Sequence, residues 1–187
     1  MAAAWQKEEP EVQEILQRYP QRRSAIMPLL HLAQERRGGY LAPEDLEAVG
    51  EVLGLTVAEV ESVASFYALY HRKPVGRYVL TVCANLSCHL SGARELVRHL
   101  QQRLGVEPGQ TTRDGLFTLE VTPECLAACD QAPAVQVNGY YLHRVTPRRA
   151  DELVEALRQG RSPQELAQRS QLPPPVGEVH ADGAGGL

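Results

Sequence analysis

The sequence predicts an α+β chain, in which an N-terminal helical bundle is followed by a domain that mixes short strands with helices. Three observations predict it. Apolar residues recur at helical spacing through about the first 70 residues. From Tyr78 onward, β-branched runs alternate with amphipathic segments. All four cysteines, Cys83, Cys88, Cys125 and Cys129, lie in two short stretches that each follow a strand-like run. The expected division is 1–74 for the helical domain, 75–165 for the mixed domain, and 166–187 for a tail rich in proline and glycine.

In the helical part, Val12, Ile15, Leu16 and Tyr19 fall at i, i+3, i+4 and i+7 and Pro20 ends the stripe. Ser24 precedes a second series, Ile26, Leu29, Leu30 and Ala33, that stops at Gly38-Gly39; Pro28 is close enough to the start to be tolerated. Pro43-Glu44-Asp45 opens a third helix, since proline suits a first turn and carboxylates oppose the positive end of the helix dipole. It runs through Leu46, Val49 and Leu53 to Gly54. Thr56 and Glu59 have the spacing of a capping box for a fourth helix with Val57, Val60, Val63 and Ala64 on one face.

After Pro74-Val75-Gly76 the period changes. Tyr78 to Val82 reads as a strand running directly into Cys83. A helix with Ala93, Leu96, Val97, Leu100 and Leu104 follows and closes at Gly105. Asp114-Gly115 turns the chain into an alternating strand, Leu116 to Val121, which delivers the second cysteine pair. Ala134 to Val137 and Tyr140 to Leu142 are two further strands joined by Asn138-Gly139, the dipeptide favoured in type I′ hairpin turns. Thr146-Pro147 starts a last helix with Leu153, Val154 and Leu157. The expected order is β-α-β-β-β-α. From about Gln171 the chain should be extended or mobile.

Composition narrows the function classes. With 187 residues the chain can bury a core without disulfides, and its formal net charge of −4 comes from acidic and basic residues that are interspersed. That pattern lacks the footprint of a nucleic-acid binder. No apolar run approaches the roughly 18–20 residues that cross a bilayer, and MAAAWQKEEPEVQE has neither a signal peptide's pattern nor a transit peptide's. A protein of a prokaryotic cytoplasm is expected, a compartment where free thiols bind metal more often than they form disulfides. No repeat, G-x-G-x-x-G or P-loop is present.

The cysteines are spaced C-x4-C and C-x3-C, in two loops that a fold must bring together at the same end of one sheet. Four thiolates are what a 2Fe-2S cluster requires, because each tetrahedral iron takes two bridging sulfides and two cysteines. A structural zinc site also accepts four thiolates at such spacings and stands as the competing reading, although the C-x4-C loop is longer than a usual zinc knuckle. A thiol-disulfide oxidoreductase would carry C-x-x-C, which is absent. Asn85, Ser87 and the loop amides are candidate hydrogen-bond donors to sulfur, the amides foremost. His89 is most simply a solvated histidine at a helix start, Asp130 a loop aspartate, and the Arg22-Arg23 and Arg36-Arg37 pairs solvated helix ends. Ser65-Phe66-Tyr67 with Tyr70 reads either as packing or as a contact surface.

Together IMPLLHLAQ, VASFYALY, VLTVCANLSCHLSGA and DGLFTLEVTPECLAACDQAPAVQVNG resemble, from about Tyr19 to Gly160, the thioredoxin-like 2Fe-2S subunits of the NADH-oxidising module of bacterial respiratory complex I (NADH:quinone oxidoreductase). The resemblance implies a thioredoxin-like 2Fe-2S ferredoxin domain behind the helical bundle, with Cys83, Cys88, Cys125 and Cys129 as ligands of one 2Fe-2S cluster and a cis peptide before Pro133. It further implies one-electron transfer close to the FMN of a larger, NADH-binding partner subunit, contact with other peripheral-arm subunits, and a cytoplasmic position peripheral to the inner membrane without direct insertion. No NADH or FMN site is expected on this chain. Similar subunits occur in NAD-linked formate dehydrogenases and hydrogenases, so the motif leaves the parent complex open.

Overall fold

The computed structural model describes residues 8–170. The expectations for the N-terminal MAAAWQ and for the tail from Gln171 lie outside those residues. The chain divides into two compact units between Arg77 and Tyr78.

The first unit holds four helices, α1 (Pro10–Gln17), α2 (Ile26–Arg36), α3 (Pro43–Leu53) and α4 (Val57–Phe66), with a 3-10 turn at Arg22–Ala25 leading into α2. Each boundary has a local cause. Pro10 and Pro43 stand in the first turns of α1 and α3. Asp45 accepts the Ala42 amide at 2.8 Å and is paired with the Arg37 guanidinium, whose Nη2 donates to Oδ1 at 2.8 Å. The buried carboxylate is thereby satisfied on both oxygens, the condition under which a buried charge is tolerated. Gly54 closes α3 in the left-handed region at φ 71°, where a side chain would be strained. At α4, Thr56 Oγ1 accepts the Glu59 amide (3.3 Å) and Glu59 Oε2 accepts the Thr56 amide (3.0 Å), so the capping box is complete. The Glu59 carboxyl is lowered to about 2, first by the Thr56 amide and then by Arg23.

Val12, Leu29, Leu30, Leu41, Val49 and Val60 form the centre of this unit. Tyr70 joins them, donating its hydroxyl to the Met27 carbonyl at 3.0 Å, and burial raises it to about 12. The aromatic group around SFY therefore divides. Tyr70 packs inside, whereas Phe66 is 79% exposed and meets Tyr67 edge-on.

The second unit is a four-stranded sheet in the order β2-β1-β3-β4, with β1 (Tyr78–Cys83), β2 (Phe117–Thr122), β3 (Val135–Val137) and β4 (Tyr140–Leu142). Strands β1 and β2 are parallel, in register from Tyr78 opposite Phe117 to Cys83 opposite Thr122. Strand β3 is antiparallel to β1 and to β4. Asn138 and Gly139 both have positive φ, 47° and 85°, as the type I′ hairpin demands. Helices α6 (Ala93–Leu104) and α7 (Pro147–Arg158) bury Leu96, Leu100, Val154 and Leu157 against Leu80, Val82, Phe117, Leu119, Val135 and Val137. Cys83 is one step beyond Val82 and belongs instead to a separate buried cluster, as the two-residue period of a strand requires.

Two helices go beyond the expected β-α-β-β-β-α order. Helix α5 (Leu86–Leu90) forms within the first cysteine loop, and α8 (Pro163–Ser170) follows α7. The latter crosses the expected start of the tail at 166. Ser162 Oγ accepts the Glu165 amide at 3.1 Å, Ala167 is buried, and Leu166 packs on the sheet core, so the segment is held by a cap and by packing. Ser162-Pro163 followed by Glu165 was the legible signal. Among the described residues, no helix is long and apolar enough to cross a membrane.

Candidate metal centre

Parallel pairing of β1 and β2 explains how the four cysteines meet. Both strands run the same way, so the loops that leave their C-terminal ends emerge at one edge of the sheet. Cys83 is the last residue of β1, and the Ala84 amide still donates to the Thr122 carbonyl at 2.9 Å before the two chains part. Cys88 is carried by α5, whose N-cap is Asn85. Cys125 lies in the loop after β2, and Cys129 begins a 3-10 turn, Cys129–Gln131.

The two pairs are built differently. Cys83 and Cys88 are 1% and 2% exposed and pack with Ala93, Ala128 and Ala134, with Leu126, Ala132 and Tyr141 against them. Cys125 and Cys129 are exposed, with their sulfurs 3.2 Å apart. The Cys83 thiol donates to the Glu124 carbonyl at 3.8 Å, which places the first pair beside the second loop. Among the described residues, no three His, Cys, Asp or Glu side chains converge to hold a single metal ion. Cys125 and Cys129 are in direct contact, and Cys88 has Cys83 as a neighbour.

Electrostatics couples these pairs. Burial pushes the Cys88 thiol up, opposed by the Ala134 amide and reinforced by Cys83 and Cys129. Cys125 is held below its usual range, first by the hydrogen bond with Cys129 and then by the Ala127 amide, which donates to its sulfur at 3.3 Å. Cys129 is raised, first by its hydrogen bond with Cys125, while the Ser87 hydroxyl from the other loop pulls the opposite way.

One sulfur thus receives a backbone hydrogen bond, from the Ala127 amide to Cys125, while Ala134 and Ser87 act to lower the thiols of Cys88 and Cys129. The expectation for Asn85 needs correction, because its side chain is committed elsewhere: Nδ2 donates to the Pro123 carbonyl at 2.7 Å and Oδ1 accepts the Leu86 amide at 2.9 Å. His89 is exposed, and exposed Asp130 accepts from Gln131. The Ala132–Pro133 peptide is cis. Sequence reasoning did not single out Ala127, which has φ 57°, or Ala134; neither alanine carries a sequence signal for a backbone role.

Four cysteines brought to one end of a sheet with a parallel β1–β2 pair, against which two helices pack, give the fold and donor set of a thioredoxin-like protein with a cysteine-lined site. The chain belongs to the thioredoxin-like [2Fe-2S] ferredoxin family, whose model matches residues 12–158. A 2Fe-2S cluster is the cofactor of that family. The chain is 47% identical over 150 residues to an NADH-quinone oxidoreductase subunit from Mycobacterium tuberculosis, a match covering 80% of this chain and 59% of that protein. It is 44% identical over 158 residues to NADH-quinone oxidoreductase subunit 2 of Thermus thermophilus, covering 83% and 86% of the two chains. Among solved structures, it is similar to a chain of an air-oxidized NAD+-reducing [NiFe]-hydrogenase with a TM-score of 0.66 and 25% identity, over 78% of this chain and 24% of that one. The match thus spans under two thirds of the mycobacterial relative.

Proposed function

We propose that Cys83, Cys88, Cys125 and Cys129 would together hold one 2Fe-2S cluster. The observation that carries this reading is the arrival of both cysteine loops at one end of a parallel strand pair, with Cys125 and Cys129 in contact and the Cys83 thiol on the Glu124 carbonyl of the second loop. The donor set fits. Two thiolates on one tetrahedral metal at bonds of about 2.3 Å lie roughly 3.8 Å apart, and the 3.2 Å between Cys125 and Cys129 needs only a small opening. A mononuclear zinc site would instead draw all four sulfurs around one centre.

When bound, such a cluster supplies a site that takes up and releases one electron. This chain's residues would hold it, shield one side with the apolar packing around Cys83 and Cys88, and leave the Cys125–Cys129 side open. The Ala127 amide, bonded to Cys125, would stabilise negative charge on sulfur.

The chain would serve as the electron-transfer subunit of an NADH:quinone oxidoreductase. Its cluster would sit close to the FMN of a larger NADH-binding subunit, within the peripheral arm on the cytoplasmic side of the inner membrane. The names of the relatives and their identity to this chain support this placement. The hydrogenase resemblance supports a second reading, the equivalent subunit of an NAD-linked hydrogenase.

Anaerobic purification should give a coloured protein with two irons and two acid-labile sulfides per chain. A folded, colourless and iron-free preparation would overturn the ligand reading. Co-purification from the native cell decides the parent: a flavin-containing larger chain accompanied by quinone-reducing subunits supports the first placement, and accompaniment by a nickel subunit supports the second.

A further inference from the structure

Where the β1–β2 ladder ends, the two cysteine loops still have to be kept together. Backbone pairing reaches only to Cys83 opposite Thr122 and to the Ala84–Thr122 hydrogen bond. Beyond that point the first loop turns into α5 and the second runs through Pro123 and Glu124 to Cys125. Asn85 touches both. Its Nδ2 donates across to the Pro123 carbonyl at 2.7 Å, two residues before Cys125. Its Oδ1 accepts the Leu86 amide at 2.9 Å, and its own carbonyl accepts the His89 amide at 2.8 Å, the first bond of the helix that carries Cys88. Proline cannot donate, so the carbonyl is the hydrogen-bonding group Pro123 offers, and a side-chain amide can meet it while still capping a helix.

We propose that Asn85 is a positioning residue for the metal centre: one side-chain amide fixes the separation of the two cysteine pairs by capping the helix of Cys88 and anchoring the start of the loop of Cys125. The inference rests on the ligand reading above. It assigns Asn85 no contact with sulfur. The amide acts through the placement of Cys88 and Cys125, joining the two loops by a bond separate from the strand ladder and from the contacts of the sulfurs themselves.

Two neutral substitutions separate its two bonds. Asn85→Ser keeps an oxygen that can cap α5 and removes the bridge to Pro123, whereas Asn85→Ala removes both. In the metal-loaded chain, both variants should lose iron to a chelator about tenfold faster than the parent, the scale on which residues behind metal ligands act. Both should also shift the electron paramagnetic resonance signature and the midpoint potential of the reduced centre, which a purely structural defect elsewhere would leave in place. Serine behaving like the parent while alanine does not would reduce Asn85 to a helix cap and overturn the proposal. Parental behaviour of both variants would overturn it as well.

Hydrogen exchange in the metal-free chain keeps the two readings apart. The amides of residues 124–129 should exchange faster in both variants than in the parent. If the parent binds no iron, the ligand reading fails by itself, and unchanged exchange in the variants would then sink the role of Asn85 on its own account.

Discussion

The two cysteine loops reach the same place by different means. The first is an extension of regular structure: Cys83 completes β1, Cys88 lies on α5, and both are buried among alanines. The second has little regular structure of its own. Cys125 and Cys129 are exposed, Ala127 between them occupies the left-handed region, and the segment leans on Thr122, whose Oγ1 accepts the Glu124 amide at 3.1 Å, and on Asn85 of the other loop. The contrast separates rigidity from accessibility. One half of the proposed ligand set is held by the core, and the other stays open at the surface.

The widest gap between the loops should appear when the packing behind each is cut back. Leu80 lies fully buried in β1, three residues before Cys83, so Leu80→Ala should cost about 2–5 kcal/mol in urea denaturation of the metal-free chain. Leu126, a half-buried residue of the second loop that packs against the Cys83–Cys88 cluster, should cost only about 1 kcal/mol on the same change. Equal losses at the two sites would remove the contrast.

Substituting the thiols themselves gives the next largest difference. Any one of the four changed to alanine, which cannot ligate iron, should abolish the proposed cluster, read as loss of visible absorbance and iron. Stability of the metal-free chain should then diverge. Cys88→Ser places a hydroxyl where the thiol is 2% exposed and should cost about 1–3 kcal/mol, while Cys125→Ser at the surface should stay within about 0.5 kcal/mol. A Cys88→Ser protein as stable as Cys125→Ser would show that the first pair is solvated when the metal is absent.

The same divide governs how much was legible in the sequence. Local signals wrote the helical unit: Gly54 ends α3, and the Thr56–Glu59 reciprocal cap opens α4. Local signals also marked Asn138-Gly139 as a hairpin and Cys83 as the end of a strand, and the resemblance to a known family supplied the cis peptide at Pro133. What escaped is held by contacts distant in sequence or carried by the backbone. Asn85 and Pro123 lie 38 residues apart, and nothing at either position announces the other. An amide donor to sulfur was expected, but that Ala127 supplies it could not be read, since side-chain identity is blind to a backbone role. Helix α5 escaped for another reason: five residues are too few to show a periodic stripe, and it depends on the Asn85 cap and on burial of Cys88.

The smallest effect tests the irregular backbone of the second loop directly. At φ 57° an L-residue such as Ala127 bears a cost of about 1–2 kcal/mol. Glycine removes that cost but frees the unfolded chain by about 0.4–1 kcal/mol. Ala127→Gly should therefore stabilise the metal-free protein by up to about 1 kcal/mol, measured as a higher urea midpoint at unchanged slope. The identical exchange at Ala156, inside the regular helix α7, should have the opposite sign and lose about 1 kcal/mol. If both exchanges destabilise, the second loop does not keep its left-handed residue in solution, and the Ala127 amide is not then held against Cys125 before metal arrives.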